Sequence, residues 1–331
     1  MKILITGIHG FVGNNLVAAL KEQNILYGLD IVSPPMEGVL NTFAWEELDK
    51  IPQVDLVIHL AGKAHDTKNQ TDAQDYFDIN VGLTQIIFQH FLRSSATKFI
   101  FFSSVKAVAD SVNGDLLTEE ILPNPQTPYG KSKLEAERYI LEEWEKWRMG
   151  DWATGRRHDK ARVKEQEHCD KRVYILRPCM IHGPGNKGNL NLLFKLQQKG
   201  LPWPLGAFEN KRSFCSIDNI LFVVQQLIDK NIEPGIYQVA DDEALSTNEL
   251  IRLMALSQNK KAKIWSIPVK SIKTIARVGD FLHLPLNSER LKKLTESYLV
   301  SNQKIKNALG IDKMPCTAAA GLKKTFESFK K

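Results

Sequence analysis

The sequence predicts an α/β protein with a doubly wound parallel sheet and a smaller lobe formed mainly by the C-terminal half of the chain. The first observation is a short apolar strand at residues 2–5, which leads through a glycine-rich turn into a segment of helical periodicity. The second is the nearly continuous apolar segment at residues 98–102, as expected of a parallel strand covered on both faces. The length of 331 residues allows one large sheet domain and a second lobe.

The glycine-rich turn covers residues 6–13, Thr-Gly-Ile-His-Gly-Phe-Val-Gly. Gly7 allows a tight turn, Gly10 lets the backbone approach a pyrophosphate, and Gly13 lets the following helix pack closely on the strand. The free N–H groups and the positive end of that helix would then face the phosphates. The turn predicts a Rossmann-type dinucleotide site, in preference to an ordinary turn. The apolar positions of the helix are expected on one face: Val12, Leu16, Ala19 and Leu20.

Composition and charge exclude several classes of protein. The net charge of +6 is too diffuse to indicate nucleic-acid binding, although it would not repel an anionic substrate. No apolar run approaches the ~20 residues of a membrane span. The chain begins directly in its first predicted strand, so we expect no signal peptide. The four cysteines are scattered without a CxxC pair, so we expect a cytoplasmic protein and no metal site.

A carboxylate lies at the end of the second predicted strand, residues 26–31. Asp30 follows Gly13 by 17 residues, which matches the position of the acidic group in dinucleotide-binding folds. A carboxylate there can accept both hydrogen bonds from an adenosine ribose and would repel a 2′-phosphate. The sequence therefore favours NAD over NADP, and the alternative is a solvated charge at a strand end.

The next predicted strand, residues 55–62, ends in small residues that leave room for the cofactor backbone. Within it, His59 is interpreted as a packed strand residue rather than a catalyst. A long helix is predicted over residues 72–93, with Asn80 in its middle.

Two hydroxyl groups and a tyrosine–lysine pair indicate the reaction centre. The strand at residues 98–104 ends in Ser103 and Ser104, at the edge where open α/β sheets hold their ligands. Tyr129 and Lys133 are four residues apart at the start of a predicted helix, so both side chains lie on one face. Following a serine-ended strand in a dinucleotide-binding chain, this pair is interpreted as catalytic rather than as a plain helix surface.

Together these features resemble the extended short-chain dehydrogenase/reductase family, and within it the nucleotide-sugar epimerase/dehydratase branch. The matching positions in the first part of the chain are 6–13, Asp30, 59–62, Ser103, Ser104, Tyr129, Lys133 and 176–178. Residues 182–185 resemble the turn after the sixth strand, and residues 235–240 resemble the strand that returns to the sheet. Residues 187–189 and 211–214 resemble segments that grip the substrate diphosphate.

The resemblance implies an NAD-binding domain at residues 1–178, to which strand 235–240 returns, and an interleaved substrate-binding lobe at 179–331. The residues that it implies for NAD binding are Gly7, Gly10, Phe11, Val12, Gly13, Asp30, Leu60, Ala61, Gly62, Asn80, Tyr129, Lys133 and Pro178. Those that it implies for substrate binding are Ser104, Asn189 and Arg212. It also implies a homodimer and a nucleoside-diphosphate sugar substrate, often UDP-linked.

The expected chemistry centres on the phenol of Tyr129. Its unperturbed pKa of ~10 is too high for a base at neutral pH. The Lys133 ammonium and an oxidised nicotinamide would lower that pKa, and Lys133 would also hold the nicotinamide ribose. Ser104 would align the reacting oxygen. Tyr129 would then remove a proton from a sugar hydroxyl as hydride passes to NAD, or run the reverse for a keto sugar.

Several reactions remain open. Ser104 is followed by Val105 and Lys106, whereas the 4,6-dehydratases of the family carry an Asp-Glu pair there, so dehydration is disfavoured. We favour 4-epimerisation of a UDP-sugar, and the alternative is one-way 4-reduction of a UDP-4-keto-6-deoxy-N-acetylhexosamine. A reductase acting on a non-nucleotide ketone is a further option. A non-catalytic NAD sensor or scaffold is disfavoured because Ser104, Tyr129 and Lys133 are all present.

The chain departs from the family pattern between residues 144 and 172, where a charged, tryptophan-containing stretch replaces a short link. We interpret an insertion at about 148–170 as a solvated, partly helical segment. The alternative is a flap that contacts a partner or a membrane. The spacing of His158, His168 and Cys169 fits no standard zinc pattern.

Overall fold

The computed structural model describes residues 1–32, 34–63, 72–112, 116–150, 171–186, 188–282 and 287–330. The chain divides into two compact units. Unit 1 consists of Met1–Asp110, Glu119–Pro178 and Val224–Gln238. Unit 2 consists of Ser111–Thr118, Cys179–Val223 and Val239–Lys331. The assignment of NAD to residues 1–178 and of substrate to residues 179–331 stays a prediction.

Unit 1 is built on a seven-stranded sheet, which confirms the predicted Rossmann-type fold. Its strands are β1 (Lys2–Thr6), β2 (Ile25–Leu29), β3 (Asn41–Phe43), β4 (Leu56–His59), β5 (Lys98–Phe102), β7 (Arg172–Pro178) and β10 (Gly235–Val239). They lie in the order β10-β7-β5-β4-β1-β2-β3. The pairs from β7 to β3 are parallel. The order reverses between β1 and β4, and open α/β sheets bind ligands at the carboxyl ends of the strands at such a point.

The helices of unit 1 are α1 (Phe11–Leu20), α2 (Ala73–Phe77), α3 (Leu83–Arg93) and α4 (Pro128–Arg148), with 3-10 turns at Trp45–Lys50 and Val105–Ala107. Buried apolar side chains of α3 and α4 pack in the same core as those of the sheet. In α1 the buried residues include Leu16 and Leu20, as predicted, together with Gly13 and Val17. Ala19 is exposed, so its predicted place on the buried face is wrong. The buried face lies one residue to the side because Gly13 itself packs against the turn.

The predicted continuous helix at 72–93 is interrupted between α2 and α3 by a π-helical turn, Asp78–Gly82. The Thr84 hydroxyl donates to the Asn80 carbonyl oxygen at 2.6 Å, a side-chain bond that competes with the regular helical ladder. Asn80 lies in this turn and is buried. The turn aims this amide inward, which is the common role of π-bulges at functional positions.

Two buried lysines close the carboxyl ends of helices in unit 1. The Lys171 ammonium donates to the carbonyl oxygens of Phe91, Ser94 and Ala96 at 3.0, 2.8 and 2.7 Å, just past the end of α3. Lys98 makes the same kind of bonds to three carbonyl groups near residue 230. A cation at a helix carboxyl end satisfies free carbonyl groups and the helix dipole together.

Unit 2 contains two small sheets and the C-terminal helices. The strands are β6 (Leu116–Leu117), β8 (Met180–His182), β9 (Arg212–Ser216), β11 (Ala244–Leu245) and β12 (Leu299–Val300), ordered β11-β9-β8 and β12-β6. The helices are α5 (Asn189–Gln198), α6 (Ile217–Asp229), which continues into unit 1, α7 (Thr247–Ser257), α8 (Val269–Phe281), α9 (Ser288–Thr295), α10 (Gln303–Leu309) and α11 (Ala318–Ser328). Helix α7 begins with a capping box: Ser246 Oγ accepts from the Glu249 N–H at 3.1 Å, and Glu249 Oε2 accepts from the Ser246 N–H at 2.7 Å. Among the described residues, no helix has the length and apolar character needed to cross a membrane.

Candidate active site

The glycine-rich turn joins β1 to α1, and its backbone packs too closely on neighbouring backbone to leave room for side chains at two of its positions. Gly7 has a φ of +69° and donates its N–H to the Leu29 carbonyl oxygen at 2.8 Å. A Cβ on Gly7 would lie 2.9 Å from the Ala61 backbone, and a Cβ on Gly13 would lie 2.5 Å from the carbonyl oxygens of Gly7 and Ile8. Glycine at positions 7 and 13 is therefore required for β1, β4 and α1 to come this close.

The amino end of α1 fits a pyrophosphate. Gly10 is its N-cap and contributes no side-chain cap, and the first turn of this described helix holds no acidic residue. The N–H groups of Phe11, Val12 and Gly13 lie in the first turn, where the helix supplies no acceptor for them. Their partial positive charge adds to the helix dipole, so the residues present fit the anionic centre of a dinucleotide.

Asp30 follows β2 and faces the same turn. Its Oδ2 accepts from the His9 N–H at 3.1 Å and lies 3.2 Å from His9 Nδ1, while its Oδ1 accepts from the Ile31 N–H at 2.8 Å. The contact with His9 is not foreseen by the sequence. Because a carboxylate has about four acceptor positions, Asp30 can brace the turn and still accept from a ribose.

Asn80 lies between the segment after β4 and helix α4. Its Oδ1 accepts from the Lys63 N–H at 2.7 Å, and its Nδ2 donates to Ser132 Oγ in α4 at 3.0 Å. A Cβ on Gly62 would lie 2.7 Å from Asn80 Oδ1 and 3.2 Å from Lys133 Nζ. The structure therefore brings Gly62, Asn80 and Lys133 together, and their binding of NAD stays a prediction.

The predicted reaction centre lies at the carboxyl end of β5. Ser104 follows this strand, and its Oγ accepts from the Lys106 N–H at 3.2 Å. Tyr129 lies in the first turn of α4, and its hydroxyl hydrogen-bonds to the Ser104 side chain. One turn later, Lys133 Nζ donates to the Phe102 carbonyl oxygen at 3.0 Å. Ser104, Tyr129 and Lys133 therefore meet at one strand end within unit 1.

Burial controls the protonation of this centre. It raises the pKa of Tyr129, against the lowering effect of the bond with Ser104. Burial also lowers the pKa of Lys133 to about 8, while the Glu137 carboxylate acts in the opposite direction. We expected Lys133 to lower the pKa of Tyr129, but burial outweighs the opposing effect and the pKa is raised. The Lys133 ammonium instead donates to the Phe102 carbonyl oxygen. A positively charged nicotinamide would favour the phenolate when NAD is bound.

A buried ionic cluster behind Lys133 is missed by the sequence analysis. Glu137 lies one turn after Lys133 in α4 and accepts from Arg177 Nε at 2.9 Å and from Arg177 Nη2. It also accepts a short hydrogen bond from Ser103 Oγ. The Arg177 and Glu137 side chains are 3% and 1% exposed, so this is a fully desolvated pair. The spacing of Lys133 and Glu137 was the available signal, but the partner Arg177 is distant in the chain.

The predicted substrate residues Asn189 and Arg212 lie in unit 2, as does the segment that follows Pro178. Asn189 is the first residue of α5. The Arg212 guanidinium donates from Nε to the Glu296 carbonyl oxygen at 3.1 Å and from Nη2 to the Lys293 carbonyl oxygen at 2.6 Å. Arg212 thus braces the end of α9, a role that the sequence does not indicate. Pro178 ends β7.

Part of the sequence-based interpretation falls on residues that the structure does not describe. The segment at 151–170, with His158, His168 and Cys169, lies outside the described residues, and so does Lys187. Within the described part of the chain, no group of three or more His, Cys, Asp or Glu side chains could hold a metal ion.

Residues 3–240 match the NAD dependent epimerase/dehydratase family, and the chain belongs to that family. It is an NAD-dependent enzyme of the extended short-chain dehydrogenase/reductase type, as the resemblance implied. It is 28% identical over 349 residues to the UDP-glucose 4-epimerase of Vibrio cholerae, covering 99% of this chain and 95% of the relative. It is 27% identical over 273 residues to the N-acetyl-alpha-D-glucosaminyl-diphospho-ditrans,octacis-undecaprenol 4-epimerase of Escherichia coli O157:H7, covering 80% and 75%.

Solved structures show the same fold at low identity. The UDP-N-acetylglucosamine 4-epimerase from Bacillus cereus superposes with a TM-score of 0.73 at 18% identity and covers 100% of both chains. MoeE5 in complex with UDP-glucuronic acid and NAD superposes with a TM-score of 0.72 at 19% identity, covering 100% of this chain and 99% of that one. NAD is therefore the cofactor of this family and fold.

Proposed function

We propose that the protein is an NAD-dependent 4-epimerase of a nucleoside-diphosphate sugar, with a UDP-linked substrate and Tyr129 as the acid/base. The observation that carries the proposal is the hydrogen bond between the Tyr129 hydroxyl and Ser104, one helical turn from Lys133. A phenol, an alcohol and an ammonium at one strand end are the groups that hydride exchange at a carbinol carbon requires.

In the proposed reaction, Tyr129 takes the proton of the sugar 4-hydroxyl group as the carbonyl forms, and returns it after the keto sugar has turned over. NAD, when bound, accepts the hydride from carbon 4 and gives it back to the opposite face. Ser104 holds the reacting oxygen in line with the phenol. Lys133 holds positive charge near the centre and favours the phenolate form of Tyr129.

Two observations support a nucleoside-diphosphate sugar as the substrate: the names of the relatives and the net positive charge of unit 2. The Vibrio cholerae relative is a UDP-glucose 4-epimerase, and the Bacillus cereus neighbour is a UDP-N-acetylglucosamine 4-epimerase. We propose Arg212 and Asn189 as diphosphate contacts. The two carbonyl bonds of Arg212 use two of its five donors and fix its orientation, so the others can meet phosphate oxygens. A homodimer and a cytoplasmic location belong to the same proposal.

The residues that follow Ser104 do not support a dehydratase, which would eliminate water from the sugar. Lys106 stands where a carboxylic acid would be needed, and its ammonium donates to the Asp110 carbonyl oxygen at 2.6 Å. Elimination of water from the sugar needs an acid and a base at that place. The choice that remains lies between epimerisation and one-way reduction.

The experiment follows the sugar and the cofactor separately. The purified protein is incubated with UDP-glucose, UDP-N-acetylglucosamine or UDP-glucuronic acid without added reductant, and the products are resolved by chromatography and mass spectrometry. We expect conversion of one of them to its 4-epimer with no net change in NADH. Stoichiometric loss of added NADH with a 4-keto-6-deoxy sugar, and no epimerisation, would show a reductase instead.

Tyr129→Phe tests the assignment of the acid/base, with Tyr139→Phe as the matched control. Tyr139 lies on the same helix, and its hydroxyl accepts from Gln89 Nε2 at 2.9 Å. We expect Tyr129→Phe to lose ~10²-fold or more in turnover while it still binds NAD, because general acid–base catalysis contributes about that much. Tyr139→Phe should retain turnover. Near wild-type turnover in Tyr129→Phe would overturn the assignment, and NAD binding without any sugar conversion in the wild type would favour a sensor.

A further inference from the structure

An unusual set of exposed apolar side chains lies on one helix of unit 2. Ile275, Val278, Phe281 and Leu282 are all exposed along α8 and the residue that follows it, and we name this set the α8 face. Phe281 is 83% exposed and the other three are about half exposed. Their spacings of three and four residues place them side by side on the helix surface.

The opposite side of α8 is the one that packs in the core of unit 2, so the α8 face remains exposed to solvent. Ile272, Ala276 and Gly279 are buried, and Ile272 and Ala276 pack with Leu205 and Leu291 in a separate small core. The helix therefore already has its packing partner within unit 2. The α8 face is a second apolar surface that folding of this unit does not use.

A strip of basic side chains runs beside the α8 face. Lys270, Lys273 and Arg277 are exposed on α8, again three and four residues apart. The only acid on the described helix, Asp280, accepts from Ser288 N–H and Oγ at 2.8 and 2.5 Å. The following helix α9 adds three more exposed basic residues, Arg290, Lys292 and Lys293, against one acid, Glu289.

The net charge of unit 2 as a whole is also positive. Its sequence contains 22 lysine and arginine residues against 12 aspartate and glutamate residues, whereas unit 1 contains 22 against 26. A second copy of this chain would bring a like positive strip to the contact. An anionic surface with an apolar interior would satisfy both the strip and the face.

We propose that the α8 face, with its basic strip, docks unit 2 on an anionic lipid surface. Phe281, Leu282, Val278 and Ile275 enter the boundary between headgroups and acyl chains, and Lys270, Lys273 and Arg277 contact the lipid phosphates. The helix lies in the plane of the membrane surface and does not cross it. The inference goes beyond the proposed epimerase activity and does not depend on it.

The test is sedimentation of the full chain with vesicles at ionic strengths of about 0.1 M and 0.5 M, where screening differs strongly. We expect binding to vesicles with about one quarter phosphatidylglycerol and much less to pure phosphatidylcholine, and weaker binding at high salt. Val278→Ser with Phe281→Ser should lower the partition coefficient by about tenfold through lost apolar burial. Lys273→Glu with Arg277→Glu should lower it by at least about tenfold on anionic vesicles.

Matched controls separate the face from general effects of surface change. Leu256→Ser removes an exposed leucine of α7, and Lys323→Glu reverses an exposed charge of α11. Both should bind vesicles like the wild type, and all variants should melt within a few degrees of it because the changed side chains are exposed. The proposal is wrong if the wild type does not prefer anionic vesicles, or if the α8 variants bind as it does. It is also wrong if light scattering shows a dimer that only the α8 variants dissociate.

Discussion

The hydroxyl of Thr6 lies 2.7 Å from Nδ1 of His59, and this bond fixes the proton on the histidine. Thr6 Oγ1 also accepts from the Leu60 and Ala61 N–H groups at 3.2 and 3.0 Å, so its own proton goes to His59 Nδ1. His59 Nε2 therefore carries the ring proton and donates to Thr84 Oγ1 at 2.9 Å. The ring is neutral, in agreement with a pKa that burial lowers to about 3.

This bond is one part of a polar chain through unit 1. Thr84 donates to the Asn80 carbonyl oxygen, and the Asn80 amide donates to Ser132 Oγ. Ser132 in turn donates to the Tyr129 carbonyl oxygen at 2.9 Å. These hydrogen bonds join β1, the strand before the glycine-rich turn, to the helix that holds Tyr129, so we expect a substitution at His59 to affect both elements.

His59→Phe removes a buried hydrogen-bonding group from the middle of this chain. We expect a loss of about 2–4 kcal/mol in the free energy of unfolding at pH 7, because the hydroxyls of Thr6 and Thr84 lose a partner. Urea unfolding measures the loss. His90→Phe, at a half-buried position of α3, should cost less than about 1 kcal/mol. Equal stability of His59→Phe and the wild type would contradict the role given to this bond.

The same residue predicts a pH dependence with a definite sign. The pKa of His59 is about 3 in the folded protein, against 6.5 for an unperturbed histidine, so the unfolded chain binds the proton first. The stabilisation by neutral His59 is complete above pH 6.5 and declines as the pH falls toward 3, by about 1.4 kcal/mol per pH unit. The stability gap between the wild type and His59→Phe should therefore narrow on acidification. A gap that stays constant from pH 7 to pH 4 would contradict the lowered pKa.

Glu137→Gln should lower the pKa of Lys133 below about 8, because it removes the carboxylate that favours the ammonium. The alkaline limb of kcat/KM for sugar conversion should then move to lower pH. Glu135→Gln, an exposed position of the same helix, is the control and should leave the profile in place. Because Arg177 loses its buried partner, the variant should also unfold more easily, by about 3–5 kcal/mol. A folded Glu137→Gln with an unshifted profile would remove Glu137 from this role.

Asp30→Asn should weaken NAD binding by about tenfold and reduce the preference over NADP, because the ribose hydroxyls lose a charged acceptor. Calorimetric titration of both dinucleotides measures the change. Asp49→Asn replaces an exposed carboxylate elsewhere in unit 1 and should bind NAD as the wild type does. If the ratio of the two affinities is the same in Asp30→Asn and the wild type, Asp30 does not set cofactor preference.

Gly13→Ala and Gly82→Ala form a contrasting pair. The added Cβ at position 13 would meet backbone oxygens at 2.5 Å, whereas at position 82 no atom lies within 4 Å. We expect Gly13→Ala to destabilise the protein by about 1–3 kcal/mol or more and to weaken NAD binding. Gly82→Ala should stabilise it by about 0.4–1 kcal/mol through the unfolded state. Thermal unfolding of both variants measures these changes in stability. A Gly13→Ala variant as stable as the wild type would show that the turn can open to admit a Cβ.

Local patterns explain what could be predicted from the sequence. Buried parallel strands are short apolar runs, and the glycine turn, Asp30 and the Tyr129–Lys133 pair each follow such a run at a fixed spacing. These features depend on neighbours in the chain. The doubly wound parallel sheet and the meeting of Ser104 with Tyr129 could therefore be predicted without long-range information, although the number of strands was not predicted.

Three of the missed features depend on distant residues. Within the π-helical turn, the Asn80 side chain bonds to Lys63 and Ser132, and the helix propensity of residues 72–93 carries no sign of these partners. The pairing of Glu137 with Arg177 spans 40 residues, and the bonds of Arg212 to the end of α9 span more than 80. Single-sequence patterns of charge and period do not encode which partner such a side chain will meet.

The lysine at position 171 has a consequence for engineering. Its ammonium closes the end of α3, and its carbonyl oxygen accepts from Trp144 Nε1 at 3.0 Å, so the chain is anchored to unit 1 on both sides of residues 151–170. Loop closure depends only weakly on loop length once the ends are fixed. A reporter peptide or an affinity tag inserted between Gly150 and Lys171 should leave the fold of unit 1 intact. That junction offers a natural place to attach a label.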